Sequence, residues 1–168
     1  PVVNAFAVPG GYVYLTRGIL CYLNSEAELA GVIGHEIGHI AARHSAQQMS
    51  KAQLAQLGLG LGAALSQTFG QVASVAQFGV EVLFLKFSRD NERQADDLGV
   101  EYASKAGFDA SQMADFFETL ERLRPASDRS GLPSWLSTHP DPPDRVRAVQ
   151  QRAHGWANQL GRPDLKVN

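Results

Sequence analysis

The sequence predicts an α+β domain that is mainly α, with a small N-terminal β-sheet or hairpin ahead of a succession of helices. Three observations predict it. Two β-type runs flank Pro9-Gly10-Gly11 at the start of the chain. A capped helical pattern opens at Ser25, and apolar residues at helical spacing recur from there onward. The 168 residues are 44% hydrophobic and 19% charged, which suits one compact core and is short for two. The whole of 1–168 is therefore read as a single domain, and an opening Pro1 in place of Met reads as a piece of a longer precursor.

The elements follow in order. Residues 2–8 and 12–16 are rich in Val, Tyr and Phe and read as paired strands joined by a short loop. Ser25-Glu26-Ala27-Glu28 is a capping box, with Ser25 as N-cap and Glu28 reaching back. Leu29, Val32, Ile33, Ile37 and Ile40 then continue one helix over 26–49. Residues 51–66 and 71–87 read as two helices joined near Gly70. A further helix starts at Ser88 or Asp90 and stops at Gly107. Residues 111–123 are helical with Phe116, Phe117 and Leu120 inward, and a polar loop follows over 124–132. Asp141-Pro142-Pro143 opens a last helix that ends near Gly155.

Composition excludes several classes. A formal net charge of −2 lacks the basic footprint of a nucleic-acid binder. The single cysteine, Cys21, allows neither an internal disulfide nor a CxxC motif, and it is expected as a small buried apolar residue. In the Gly-, Ala- and Leu-rich stretch 54–87 the longest clean apolar run is Leu57–Leu65, nine residues, whereas a membrane span needs about 20. That stretch reads as core helices, a lid, or a surface for peripheral contact with a membrane or an envelope protein.

The decisive string is His35-Glu36-Ile37-Gly38-His39, an HExxH motif inside the capped helix. On an α-helix His35 and His39 lie about 40° apart in azimuth and about 6 Å apart along the axis, so both imidazoles can meet one ion. Glu36 stands beside them. Zinc at a catalytic site takes three protein ligands and keeps a position for water. His44 lies about 140° round the helix from His39 and reads as a solvated surface residue. Ser45 stands where a longer HExxH motif has its third histidine. The third ligand is then sought on a facing helix, where Glu92 and Asp96 share one face at i, i+4. Glu92 can reach the metal while Asp96 accepts the free N–H of a ligand histidine. A closed structural zinc site fits poorly without cysteine ligands.

These residues, with Asn4-Ala5-Phe6-Ala7, Pro9-Gly10-Gly11, the Glu92–Gly99 string and Ser137-Thr138-His139-Pro140 followed by Arg145, resemble a known family. It is the zinc metallopeptidase family of the CAAX prenyl endopeptidases and the heat-shock protease HtpX, nearest its soluble periplasmic branch of β-barrel-assembly-enhancing proteases. The resemblance runs from residue 4 to about 147. It implies a gluzincin-like fold, one zinc ion held by His35, His39 and Glu92, and Glu36 as catalytic base. It also implies a histidine near the site at His139. Two roles stay open there: donor to the oxyanion, or an extra zinc ligand that displaces water and silences the enzyme. Arg145 is expected either to bind a substrate carboxylate or to brace a carboxylate of the site.

Asn4-Ala5-Phe6-Ala7 has small alternate side chains, which suit an edge strand that pairs with an extended peptide, reading backbone more than sequence. The expected function is hydrolysis of peptide bonds in unfolded or misassembled polypeptides, as envelope protein quality control. The alternative is a chaperone or assembly module with latent protease activity. The resemblance places the protein in the periplasm or at the envelope, lipid-anchored through a preceding segment.

Overall fold

A computed structural model describes residues 2–51, 54, 86–123, 134–139, 144–162 and 165–168. The expectations for 55–85, for the loop 124–132 and for Pro140 and Asp141-Pro142-Pro143 lie outside the described residues.

The chain opens with the hairpin its sequence predicts. Strands β1 (Ala5–Val8) and β2 (Tyr12–Leu15) are antiparallel, in register from Ala5↔Leu15 to Val8↔Tyr12. Gly10 and Gly11 turn the chain at φ 105° and 92°, a region closed to most L-residues. A one-turn helix α1 (Arg17–Leu20), not foreseen, follows Thr16 and buries Ile19.

The capping of α2 (Glu26–Ala41) is half as expected. The Glu28 backbone N–H donates to Ser25 Oγ (3.0 Å), but the Glu28 carboxylate reaches past the N-cap and accepts from the Asn24 N–H (2.8 Å). The expected continuation to residue 49 fails. The helix stops at Ala41, Arg43 turns the backbone at φ 58°, and helical structure resumes at 44–51 in a new direction. No Gly or Pro marks this break. Of the apolar stripe, Val32 enters the core, whereas Leu29, Ile33 and Ile37 line an open groove with Tyr102 and Phe108.

Helix α3 (Arg89–Lys105) begins at Ser88, whose hydroxyl accepts from the Asn91 N–H, and ends before Gly107 at φ 93°. Helix α4 (Gln112–Arg122) buries Phe116, Phe117 and Leu120 as predicted. A short helix α5 (Ser134–Thr138) was not foreseen, and it plants Trp135 in the core. Helix α6 (Arg145–Leu160) runs through Gly155 and ends at Gly161 (φ 59°). Gly costs only about 1 kcal/mol inside a helix, and Trp156 packing on the core carries α6 past it.

Helices α2 and α3 are in backbone contact, which positions the site. A Cβ added at Gly34 would lie 2.8 Å from the Gly99 carbonyl, and one at Gly38 would lie 2.7 Å from the Ala95 carbonyl. Glycine and alanine bring the two axes this close. The core beside this crossing joins Val32, Val100, Met113, Phe116, Leu120, Trp135 and Val149. The C-terminal residues return to it, Val167 accepting from the Ala27 N–H at the start of α2 (3.0 Å).

Cys21 departs from expectation and is exposed, its Sγ facing the Arg17 carbonyl (3.6 Å). It follows the exposed end of α1, where no core packs against it. Among the described residues no helix is long and apolar enough to cross a membrane.

Candidate metal and active site

Helix α2 presents His35, Glu36 and His39 on the face turned toward α3 and α5, all at most 1% exposed. The Nε2 atoms of His35 and His39 stand 3.0 Å apart, and each lies 3.5 Å from a Glu92 carboxylate oxygen on α3. Two ligands at about 2.0–2.1 Å on a tetrahedral ion would be separated by about 3.3 Å, so the spacing fits a cation between them. One ligand atom each from His35, His39, Glu92 and His139 falls within a mutual 4.8 Å.

Asp96 sits where its spacing from Glu92 predicts, with Oδ1 2.8 Å from His35 Nδ1. An ionised carboxylate can only accept, so His35 donates from Nδ1 and its Nε2 carries a bare lone pair aimed into the cluster. Arg145 closes the arrangement from α6. Its guanidinium donates to both Asp96 oxygens (2.9 and 2.7 Å), passes 3.4 Å from Glu92 and lies over the Phe117 ring (3.7 Å).

His139 follows α5 directly, its backbone N–H donating to the Trp135 carbonyl (2.8 Å). Its ring stacks on the Trp135 indole, with centroids 4.6 Å apart and planes at 12°. His139 Nε2 faces Glu36 Oε1 at 3.5 Å, and these two buried atoms make no hydrogen bond among the described residues. Buried polar atoms are rarely left so, and here they border the space a cation and a water would fill. Two imidazoles and a carboxylate form a donor set that fits a divalent metal ion.

Electrostatics agree. Burial holds His35 and His139 well below the usual histidine range and lowers His39 to about 3. Neutral imidazoles are what a metal requires. Burial raises Asp96 against the pull of Arg145. Burial, helped by Glu92, pushes Glu36 from 4.5 up to about 8. In metal-free protein that carboxyl holds its proton more tightly folded than unfolded. Its contribution to stability is therefore complete below pH 4.5 and drains away as pH rises to about 8. Metal-free Glu36→Gln should match the wild type below pH 4.5 and exceed it above pH 8, by on the order of a few kcal/mol. Urea titrations across that range in chelator check this, and parallel pH curves for the two proteins would refute it.

Asn4 is buried, and Thr16, just after β2, takes both its backbone groups: Asn4 accepts from the Thr16 N–H (3.0 Å) and donates to Thr16 Oγ1 (2.9 Å). By antiparallel alternation, the backbone groups of Ala5 and Ala7 point to the opposite edge of β1. There the Ala7 N–H faces Glu36 and the Ala7 carbonyl meets Ser45 Oγ (3.4 Å). A cleft of about 300 Å³ between Val8-Pro9-Gly10 and Ile40–Arg43 leads in to His39.

One residue was misread. His44 is not solvated: it is 1% exposed, with Nδ1 3.0 Å from His39 Nδ1 and Nε2 3.0 Å from Gln94 Oε1. The 140° displacement assumed an unbroken helix, and the Arg43 turn folds His44 back under His39. Trp135 was also missed, although a Trp four residues before His139 is within stacking reach.

The sequence profile of peptidase family M48 matches residues 1–153. Over 98% of its length the chain is 38% identical to a candidate β-barrel assembly-enhancing protease of Vibrio cholerae serotype O1, covering 34% of that protein. It is 34% identical to the β-barrel assembly-enhancing protease of Escherichia coli K12, over 90% of the chain and 32% of the relative. The mitochondrial metalloendopeptidase OMA1 of Schizosaccharomyces pombe is 35% identical over 90% of the chain and 44% of its own length. The chain thus spans about a third of the two bacterial relatives. With the profile covering nearly all of it, the chain belongs to peptidase family M48.

Proposed function

We propose that this domain is a zinc-dependent endopeptidase that cleaves unfolded or misassembled polypeptides at the bacterial envelope. The observation that carries the reading is the convergence of His35, His39 and Glu92 within reach of one ion, with Glu36 beside them. His35, His39 and Glu92 hold the metal, and Asp96 orients His35. Arg145 braces Asp96 and Glu92; its buried bidentate pairing supports this over binding of a substrate carboxylate. Zinc bound there supplies a Lewis acid for the peptide carbonyl and for water.

The remaining steps belong to the side chains. Glu36 takes a proton from the attacking water and delivers it to the leaving amine. His139 donates to the oxyanion from Nε2 only when its ring carries a second proton, because Nδ1 faces the Trp135 carbonyl (3.2 Å) and holds the proton of the neutral form. A substrate strand pairing along the Ala5–Ala7 edge of β1 takes the Ala7 carbonyl over from Ser45 and the Ala7 N–H from Glu36, which favours extended chains over folded ones. The assignment to the envelope is supported by relatives named for β-barrel assembly. So is an envelope-protein partner.

A second reading has its own support, because His139 offers a ligand atom in the same cluster. With His139 as fourth ligand the position for water is filled, and the domain rests as a self-inhibited assembly module. Complete removal of zinc with a chelator should abolish casein digestion, and added zinc should restore it. Digestion that continues unchanged in metal-free protein would sink the mechanism.

A further inference from the structure

The hydrogen-bond chain behind His39 has a direction, and that direction decides whether His39 can bind a metal at all. His39 Nδ1, His44 Nδ1, His44 Nε2 and Gln94 Oε1 form two successive contacts of 3.0 Å each. Each neutral imidazole carries one proton, so only two arrangements satisfy both contacts. In the first, His39 donates from Nδ1 to His44 Nδ1, and His44 donates from Nε2 to the Gln94 carbonyl oxygen. His39 Nε2 is then a lone pair pointing at His35 Nε2 and Glu92. In the second, the Gln94 amide nitrogen donates to His44, His44 donates to His39, and His39 Nε2 carries the proton. A protonated Nε2 cannot be a ligand.

The Gln94 amide turns its oxygen to His44 Nε2 (3.0 Å), the orientation that the first arrangement requires. His35 has a carboxylate partner, Asp96, that can only accept, so its tautomer is fixed by charge. His39 has no carboxylate behind it among the described residues. Its partner is another histidine, whose own tautomer is set one step further out.

We propose that His44 and Gln94 are positioning residues that hold His39 in the tautomer offering Nε2 to the cation, with Gln94 setting the polarity of the chain. This rests on the zinc-peptidase reading of the same site. Burial lowers His44 as well, in keeping with a neutral relay imidazole.

Gln94 is on the exposed side of α3, so it can be changed without disturbing the core. Gln94→Glu offers an acceptor only and should hold zinc at least as tightly as the wild type. Gln94→Lys offers a donor only and should weaken zinc by about 10–100-fold, as should His44→Phe, which keeps a ring but removes the acceptor. Affinities are measured by chelator competition in about 1 M salt, where the Debye length of about 3 Å screens the through-water effect of the new charges.

A second readout needs no variant and no activity. Long-range 1H–15N correlation on the zinc-loaded wild type should find His44 protonated on Nε2 and bare at Nδ1, where it accepts from His39. Equal zinc affinity for Gln94→Glu and Gln94→Lys, within about twofold, would overturn the proposal. So would a wild-type His44 protonated on Nδ1, and this holds even where His44→Phe fails to fold. Wild-type protein that takes up no zinc defeats the peptidase reading along with this one. Zinc uptake indifferent to residues 44 and 94 defeats this one alone.

Discussion

Replacing Glu36 with Gln should leave zinc in place and lower peptide hydrolysis by about 10²–10⁴-fold. Glu36 is not among the residues that hold the ion in the proposed site, so the metal content of the variant stays near one per chain. What is lost is a buried carboxyl beside the proposed ion, the group placed to take a proton from water and return it to the leaving amine. The amide of Gln has nearly the same shape and fills the same pocket between Ala7 and His139, but it exchanges no proton. Zinc analysis beside a casein assay separates the two effects. A variant that digests casein at the wild-type rate would remove Glu36 from the mechanism. A variant that is inactive yet still supports envelope-protein assembly would favour the module reading over the peptidase.

The second large effect is expected far from any proton. At Gly99 an added Cβ would lie 2.8 Å from the His35 backbone nitrogen, 3.0 Å from its Cα and 3.1 Å from the Gly34 carbonyl carbon. These are main-chain atoms, which cannot swing aside, so Gly99→Ala must push α2 and α3 apart. Overpacking of this kind costs about 1–3 kcal/mol, against about 1 kcal/mol gained from helix propensity. The contacts are short enough that the loss wins. The separation is also felt at the metal, because two ligands ride on α2 and Glu92 on α3, and coordination distances tolerate only about 0.2 Å. Gly99→Ala should therefore lose about 1–2 kcal/mol of stability and at least about tenfold in zinc affinity. Gly155→Ala is the matched control: nothing lies within 4 Å of the added atom, and the helix should gain up to about 1 kcal/mol. Denaturant titration and chelator competition on both variants check the contrast. Equal behaviour would mean that the crossing does not set the metal geometry.

What was legible in the sequence was local. HExxH in a capped helix, a carboxylate pair at i, i+4 and a Pro-Gly-Gly hairpin each declare their geometry within a few residues, and each appears where expected. What was illegible needed the chain to have folded. The turn at Arg43 is made by an ordinary arginine at positive φ, held there by the packing of His44 and Ser45, so no Gly or Pro announced it. Every angle measured past residue 41 on one continuous helix was then wrong, and His44 went with it. The apolar stripe misled in the opposite way. Leu29, Ile33 and Ile37 mark the helix correctly but lie on its open side, because glycines and the polar site residues occupy the buried one.

The bond from Arg145 to Asp96 spans 49 positions, and Asp96 in turn lies 61 positions from His35. Chains are made from the N-terminus at about 5–20 residues per second. A nascent polypeptide on the ribosome therefore exposes HEIGH seconds before the arginine that steadies its carboxylates has been synthesised. The proposed centre is completed only once Arg145 has emerged, and a nascent chain that stops short of it lacks the brace on Asp96 and Glu92.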